Sequence, residues 1–314
     1  MKGLELSRKY YEAYGRAMIR DSFPQLEGML AAGLFGRGSE CYGFDDEISQ
    51  DHDFEPGFCI LVPGEDKVDE KTFFRLERAY SKLPKEFEGY TRPVMEPVGG
   101  KRHGVFRADD FFMDLTGSPD GILSDQEWLS ITDWALREAT NGEIFRDDSG
   151  LVTDIRDRLV SMPRDVMLKR LAGSLITAGQ AGQYNYPRCL RRGEEGAARL
   201  ALSRFCEAAM RCIFILNRRY MPYYKWSLRA LRALPRLSIA GELFEFLLTG
   251  ENSDEGKIRK TQTVETLARL ICEEMRSQGV TSRGDDDLEK QAYAVNDRIT
   301  DNAVRNLDIF SAAE

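Results

Sequence analysis

Two aspartates stand one residue apart at the end of the segment GSECYGFDDEISQDHD, which covers residues 38–53. In an extended segment side chains alternate between faces, so Asp51 and Asp53 point to one side and His52 to the other. Two carboxylates on one face are the hard oxygen ligands that Mg²⁺ takes while it keeps some waters and also binds phosphates. The spacing predicts a Mg²⁺ site at Asp51 and Asp53, and it leaves His52 to packing or hydrogen bonding.

A Gly-Ser step precedes the acid pair. Gly38 and Ser39 follow an apolar run at residues 30–34, and eleven residues separate Ser39 from Asp51. A turn of this kind brings backbone N–H groups and a hydroxyl close to phosphates. Together the two features predict metal-dependent phosphoryl chemistry. The alternative is that Asp-x-Asp belongs to a solvated loop or a helix cap.

Charge is distributed unevenly along the chain. The net charge is −8, from 44 basic and 52 acidic residues, which argues against a general nucleic-acid-coating protein. Residues 40–55 hold seven acids and no Lys or Arg, whereas residues 188–236 hold twelve Lys or Arg and three Glu. A metal–triphosphate site needs both signs of charge on opposite walls, although two solvated faces of opposite sign give the same pattern.

Cysteine and histidine usage points to a reducing compartment. The six cysteines show no Cys-x-x-Cys spacing and are expected to be free thiols. The chain has only His52 and His103, so a zinc site built on histidines is not expected. The N-terminal residues lack the apolar core of a signal peptide, and no apolar run is as long as a membrane span. These features predict a cytoplasmic enzyme or binding protein without a membrane partner.

Hydrophobic periodicity predicts an α+β protein with a small mixed α/β domain at residues 1–122 and an all-α helical bundle domain at residues 123–314. In the first part, helices are expected at 4–30, with a break at Pro24, and at 71–83, and strands at 30–35, 54–62, 90–97 and 104–114. From about residue 124 the pattern predicts helices throughout, at 125–139, 165–181, 197–219, 224–234, 239–248, 260–278 and 287–310.

The Gly-Ser step and the acid pair resemble the signature of the nucleotidyltransferase superfamily, which includes DNA polymerase beta and the aminoglycoside and lincosamide nucleotidyltransferases. Ser49, just before the acid pair, is a familiar part of that signature. The segments ATNGEIFRDDSG (139–150) and ILNRRYMPYYKW (215–226) are similar to a bacterial branch known only as a domain of unknown function. The short motif together with the segment that contains Tyr224, Lys225 and Trp226 is more specific than the short motif alone.

This resemblance implies roles for particular residues. Gly38 and Ser39 would hold the β- and γ-phosphates of a nucleoside triphosphate such as ATP, and Asp51 and Asp53 would bind Mg²⁺ and the reacting α-phosphate. A site with two Mg²⁺ ions is compatible with it. In-line displacement at phosphorus needs neutralisation of charge and alignment more than covalent help from the protein.

The helical part supplies two further candidates. Lys225 would reach the triphosphate as a point charge, and Tyr224 would stack on the base or cover the pocket. The alternative for Lys225 is a lysine whose stem packs beside core aromatics while its charge stays in water. Arg218, Arg219 and Asn217 are weaker candidates.

Many members of the superfamily supply a third carboxylate from a later strand. Asp114, expected at the end of a strand, is the first choice here, and Glu96 is the second. Asp109 and Asp110 are typical of a turn or a helix start. The residues at 103–105 offer no acid, so the absence of a third carboxylate stays open.

The resulting hypothesis is a Mg²⁺-dependent nucleotidyltransferase that moves a nucleoside monophosphate onto a hydroxyl of a small-molecule acceptor and releases pyrophosphate. The alternatives are a protein or RNA acceptor, or a non-catalytic nucleotide-binding regulatory protein. Relatives often build the site near an interface, which leaves a homodimer open. An RNA-binding face that uses Tyr184, Tyr186, Tyr223 and Trp226 ranks lower, because bundle packing also explains these aromatics.

Overall fold

The computed structural model describes residues 1–50, 54–92 and 102–311. Asp51, His52, Asp53 and Glu96 lie outside the described residues. The chain forms two compact units, the first made of Met1–Leu123 and Ala135–Ser161 and the second of Ser124–Trp134 and Met162–Glu314. The predicted division after residue 122 places residues 135–161 in the C-terminal part, whereas the compact units place them with the N-terminal part.

A four-stranded sheet forms the centre of the first unit. Its strands are β1 (Ala31–Leu34), β2 (Cys59–Val62), β5 (Gly104–Arg107) and β6 (Glu143–Asp147), in the order β5-β2-β1-β6. A separate two-stranded hairpin consists of β3 (Glu86–Phe87) and β4 (Tyr90–Thr91). Strand β1 is antiparallel to both β2 and β6, and β2 is parallel to β5. All residues of β1 and β2 are buried, as expected for strands that are covered on both faces.

Helices and aromatic side chains pack around this sheet. The helices of the first unit are α1 (Gly3–Tyr10), α2 (Arg16–Ser22), α3 (Glu70–Ser81), α4 (Ala108–Thr116) and α7 (Leu151–Val160), and α6 (Asp133–Thr140) leads into it. A π-helical turn, Tyr11–Gly15, joins α1 and α2. Tyr10, Tyr11, Leu76 and Tyr80 pack in one buried cluster with Phe58. Rings at edge-to-face geometry supply much of this core.

Most predicted elements of the first part are present, and the first correction concerns the lengths of two strands. The strand predicted at 104–114 ends at Arg107, and residues 108–116 form α4. Asp109 and Asp110 lie in the first turn of α4, where carboxylates favour the helix dipole, and Gly117 ends the helix at φ +75°. The strand predicted at 54–62 is confirmed only at 59–62.

The second correction concerns the part predicted to be helical throughout. Residues 143–147 form β6, which pairs with β1 in the first unit. Strand β6 has five residues, of which the first is exposed and the others are half-buried. Its alternation of polar and apolar residues is too weak to predict a strand without knowledge of its partner β1.

The second unit consists of helices. They are α5 (Asp125–Ser130), α8 (Arg164–Ala178), α9 (Tyr186–Arg191), α10 (Glu195–Leu216), α11 (Tyr224–Leu231), α12 (Ala240–Thr249), α13 (Asp254–Ser277), α14 (Leu288–Asn296) and α15 (Asn302–Arg305). Helix α8 is buried at every position from Val166 to Ala178 and is the central helix of the bundle. Mixed strands and helices agree with the predicted α+β class. None of the helices described is both long and apolar enough to cross a membrane.

A buried ion cluster joins three segments of the second unit. The Asp133 carboxylate lies 2.6 Å from Arg170 Nη1 of α8 and 3.0 Å from Arg211 Nε of α10. Arg170 also donates to the Ile131 carbonyl. Burial raises the pKa of the neighbouring Tyr220 hydroxyl. Because all three charged groups are buried or nearly so, Asp133 is their shared compensation, and Arg211 has Glu207 at 3.9 Å as a second carboxylate.

Replacing Asp133 with asparagine keeps the size of the side chain and removes its charge. We expect Asp133→Asn to lower the free energy of unfolding by about 3 to 5 kcal/mol, because the buried Arg170 guanidinium loses its counter-ion and Arg211 keeps only the more exposed Glu207. Denaturant unfolding of the purified chain measures this change. The matched control is Asp297→Asn, at an exposed carboxylate, for which a change within about 0.5 kcal/mol is expected. If the two substitutions changed the free energy of unfolding equally, the ion cluster would contribute nothing to stability.

Candidate functional site

The strand pairing gathers several loop residues at one end of the sheet. Gly33 pairs with Cys59 and Leu34 pairs with Glu143, so the end of β1 lies beside the starts of β2 and β6. Strand β5 starts beside the start of β2. The residues that follow β1 or precede the other three strands are termed the sheet-end cluster, and they comprise Gly36–Glu40, Glu55, His103 and Asn141.

The Gly38-Ser39 turn lies at the end of β1, as the sequence predicts. Gly36 and Gly38 have φ of +99° and +120°, a region that favours glycine. A Cβ atom at Gly38 would lie 2.3 Å from Glu40 Oε1. The Ser39 carbonyl accepts hydrogen bonds from the N–H groups of Tyr42 and Phe44.

The donors of this turn are unused. Within the described chain, neither the N–H groups of Gly38 and Ser39 nor the Ser39 hydroxyl donates to an acceptor. Successive unpaired N–H groups beside a glycine in the left-handed region form a concave surface that suits an anion. The turn has the geometry and the free donors to bind phosphate oxygens.

Asn141 fixes the backbone at the start of this turn, a role that the sequence prediction missed. Its Oδ1 accepts from the Gly36 N–H at 2.9 Å, and its Nδ2 donates to the Gly36 carbonyl at 2.7 Å. Gly142 follows it with φ +68°, and a Cβ there would lie 2.0 Å from the Leu34 carbonyl oxygen. The Asn-Gly pair before β6 is a turn motif that could have indicated this contact.

Two buried carboxylates lie in this region and were not among the predicted site residues. Glu40 is 7% exposed, and its Oε1 has no hydrogen-bond partner among the residues described. Glu138 lies 3.5 Å from Arg37 Nε. Burial raises the pKa of the Glu138 carboxyl, and Arg37 offsets part of that rise. The orphaned Glu40 oxygen is a hard ligand of the kind that a divalent cation takes.

Glu55 and His103 form a second buried pair, at the starts of β2 and β5. Glu55 Oε1 lies 3.1 Å from His103 Nδ1, and their side chains are 13% and 6% exposed. A Cβ at Gly57 would lie 2.7 Å from the His103 ring, so glycine allows the ring to pack here. The contact holds the histidine ring in one orientation.

Ser49 organises the loop that leads to residues 51–53. Its N–H and its hydroxyl both donate to Asp46 Oδ1 at 3.0 Å, and its hydroxyl accepts from the Asp46 N–H. These reciprocal bonds close a short turn just before the segment that holds Asp51 and Asp53. The structure therefore gives Ser49 a role in shaping the loop.

Asp114 lies on α4 and lines a cavity of about 490 Å³ in the first unit. Gly36 and Arg37 line the same cavity. Phenylalanine and arginine side chains form much of the remaining wall, namely those of Phe35, Phe73, Phe106, Phe111, Arg102 and Arg107. Glu70 and Asp110 also line it, so the wall combines aromatic rings with charges of both signs, and the rings suit stacking with a flat ligand.

Lys225 and Tyr224 lie in the first turn of α11, in the second unit. Lys225 is exposed, and its Nζ lies 5.2 Å from the centre of the Trp226 ring. The Tyr224 side chain is also exposed and packs against Tyr223 at 4.5 Å between ring centres. A cation in the first turn of a helix is repelled by the helix dipole, so Lys225 does not stabilise α11. Its charge is available to attract an anion.

Other sequence candidates take structural positions. Tyr186 is buried at 2% exposure, so it cannot stack on RNA bases. Asn217 donates to the Ile213 and Arg236 carbonyls and ends α10. No group of three or more His, Cys, Asp or Glu side chains that could hold a metal ion occurs within residues 1–50, 54–92 and 102–311.

Removing the Asn141 amide leaves both backbone groups of Gly36 without a partner. We expect Asn141→Ala to lower the free energy of unfolding by about 1 to 3 kcal/mol, because Asn141 is buried and water cannot replace it. Thermal unfolding of the full chain tests this expectation. Asn306→Ala, at an exposed asparagine, is the matched control. A shift no larger than that of the control would mean that Gly36 does not depend on Asn141.

Comparison with known proteins gives one result. A family model described as a domain of unknown function (DUF4037) matches residues 128–227, which is less than half of the chain. The matched stretch includes Asn141, Tyr224 and Lys225, whereas Gly38, Ser39 and the acid pair precede it. No curated protein and no solved structure matches. Over residues 128–227, the chain is thus similar to the DUF4037 family.

Proposed function

We propose that the protein is a Mg²⁺-dependent nucleotidyltransferase that moves a nucleoside monophosphate from a triphosphate onto a hydroxyl and releases pyrophosphate. The supporting observation is the Gly38-Ser39 turn, whose N–H groups and hydroxyl are free donors at the end of β1. A triphosphate offers the oxygen acceptors that these donors lack.

The proposal gives the metal to Asp51 and Asp53, which follow the Ser49 turn in the chain. Carboxylate oxygens are the ligands that Mg²⁺ prefers, and the orphaned oxygen of Glu40 is of the same chemical type. When bound, the metal would neutralise charge on the phosphates, and the resemblance is compatible with one or two ions. The turn donors would hold the β- and γ-phosphates in line with the acceptor hydroxyl.

Asp114 stays the first choice for a third carboxylate. It shares a cavity with Gly36 and Arg37, which supports a place near the bound substrate. Its position on a helix, rather than on β5, differs from the arrangement that the resemblance implies. A base for the acceptor hydroxyl must come within hydrogen-bond reach of it in the substrate complex.

Lys225 and Tyr224 are proposed to contact the nucleotide. The support is their exposure in the first turn of α11 and the position of Lys225, which has no carboxylate partner in the described residues. A small molecule is the acceptor that the resemblance implies, and a protein or RNA acceptor is the alternative.

A non-catalytic nucleotide-binding protein is the second candidate. The observation that favours it is the sequence of β5, GVFR, which contributes no acid to the sheet end. Without a third carboxylate, the same turn and acid pair would bind a metal–nucleotide complex and not turn it over.

Joint substitution of the acid pair tests the first proposal. We expect Asp51→Asn with Asp53→Asn to reduce nucleotide transfer and pyrophosphate release by at least about a hundredfold, because the metal loses both proposed ligands. Labelled triphosphates, Mg²⁺ and a panel of acceptors or cell extract provide the assay. Asp297→Asn is the control for an exposed carboxylate and should retain full activity.

The outcomes separate the two candidates. Transfer by the wild-type chain that the double variant lacks supports catalysis. Tight binding of Mg–nucleotide without turnover supports the regulatory alternative. Failure of every triphosphate to bind would rule out both candidate functions, and the Asp-x-Asp pattern would then be interpreted as part of a solvated loop.

Nucleotide affinity tests the donors separately from catalysis. We expect Ser39→Ala and Lys225→Met each to raise the Kd for Mg–nucleotide by about tenfold, since each removes a hydrogen bond to a charged phosphate. Lys290→Met removes an exposed lysine on α14 and should leave the Kd unchanged. Isothermal titration calorimetry measures all three. Unchanged affinity in Lys225→Met would confine nucleotide binding to the first unit.

A further inference from the structure

Two buried lysines of the second unit have different surroundings. Lys169 of α8 is fully buried, and its three donors reach Asn296 Oδ1 at 3.0 Å, the Arg305 carbonyl at 3.3 Å and the Leu307 carbonyl at 2.6 Å. Lys260 of α13 is 2% exposed, and its Nζ donates to Asn252 Oδ1 at 2.9 Å. No other partner of the Lys260 ammonium exists within the described chain. An ammonium has three donors, so two of those of Lys260 are unused.

Lys260 lines a cavity of about 240 Å³ formed by α9, α10, α12 and α13. Tyr186 of α9 lines the same cavity, and its hydroxyl has no partner in the residues described although the side chain is 2% exposed. Lys260 and Tyr186 therefore both bring unused hydrogen-bond donors to the lining of one cavity.

The charges around the cavity are unbalanced. Lys257 lies 2.7 Å from Glu195, which neutralises it. Arg199 also lines the cavity and forms no ion pair or hydrogen bond with a residue that the structure describes. Lys260 and Arg199 therefore leave a net positive charge at the cavity, and no other carboxylate lines it.

The electrostatics of Lys260 agree with a missing anion. Burial lowers the pKa of its ammonium, and the charge of Arg199 lowers it further. Burial also raises the pKa of the Tyr186 hydroxyl, which therefore stays a neutral donor. A bound anion would reverse the destabilisation of the ammonium.

The remaining wall is apolar. Leu202 of α10 and Leu247 of α12 are buried and line the cavity, together with Leu190. The lining therefore suits an organic anion, whose charged group would contact the cations and whose hydrocarbon would contact the leucines. Inorganic ions alone would leave the leucine wall without contacts.

We propose that this cavity binds a small organic anion, with its carboxylate or phosphate group at Lys260, Tyr186 and Arg199 and its apolar part against Leu202 and Leu247. This site is separate from the nucleotide site proposed above, because every residue that lines it belongs to the second unit. Charge-assisted hydrogen bonds to the ammonium and guanidinium supply affinity, and the leucines select for a hydrocarbon tail.

The test uses hexanoate, hexyl phosphate, inorganic phosphate and hexylammonium as probes with the full chain. We expect hexanoate or hexyl phosphate to bind one per chain and to raise Tm, and hexylammonium not to bind. Tighter binding of one of the two six-carbon anions assigns the preferred head group. Failure of all three anions to bind at millimolar concentration overturns the proposal, and so does equal binding of hexylammonium.

Variants locate the site. Lys260→Met and Tyr186→Phe should each weaken binding of the six-carbon anion by about tenfold or more, which corresponds to the loss of one hydrogen bond to a charged group. Lys260→Met should also raise the Tm of the ligand-free chain by roughly 2 to 4 °C, because it removes a buried charge that lacks a counter-ion. Lys290→Met is the control for an exposed lysine and should change neither quantity.

Arg199→Gln tests whether weaker binding in the buried variants comes from misfolding. Arg199 is exposed, so its replacement is not expected to disturb the packing of the bundle. In Arg199→Gln the Kd for the six-carbon anion should rise about threefold to tenfold, and in the control Arg298→Gln this Kd should stay unchanged. Anion binding that survives both Lys260→Met and Arg199→Gln would place the anion elsewhere and overturn the proposal.

Discussion

Strand β1 sets the central constraint on the first unit. Its four residues are buried, so every backbone N–H and C=O group in it must find a hydrogen-bond partner within the protein. Strand β2 pairs with the backbone groups on one edge of β1, and β6, much later in the chain, pairs with those on the other edge. The return of residues 135–161 to this unit follows from that requirement. A sheet that ended at β1 would expose an apolar edge strand.

The same pairing builds the sheet-end cluster. Gly142 lets the chain pass within contact distance of the Leu34 carbonyl as it enters β6, and Asn141 then reaches Gly36 with both of its amide groups. These bonds hold Gly36, and the N–H groups of the Gly38-Ser39 turn that follows have no acceptor within the described residues. The pairing of a distant strand thus sets the geometry of the turn proposed to bind phosphates.

Buried charge organises the second unit in three different ways. Asp133 compensates Arg170 and Arg211, so this cluster is closed within the protein. Lys169 has no carboxylate but reaches three oxygen acceptors, two of them carbonyls of the C-terminal segment, and so ties that segment to the central helix. Lys260 has one acceptor and faces a cavity. The first two arrangements are complete without a ligand, and the third is not.

The sequence alone determined the features that depend on local spacing. Apolar periodicity predicted α3, α8, α10 and β1, since burial of one face needs only neighbours a few residues apart. The Gly-Ser step predicted the turn after β1, because a positive φ is a local property of glycine. The acid pair, Asp51 and Asp53, was likewise proposed as a metal site from its spacing.

Only the tertiary structure decided which distant residues meet. β6 could not be recognised from five residues of weak alternation, because its stability comes from pairing with β1. Strand β5 ends at Arg107 and residues 108–116 form α4, so Asp114 lies on a helix and not at the end of a strand. Glu40 and Lys260 belong to segments with no local motif of function, and their importance arises from burial. Burial and hydrogen-bond satisfaction depend on the whole fold, so no pattern along the chain could reveal them.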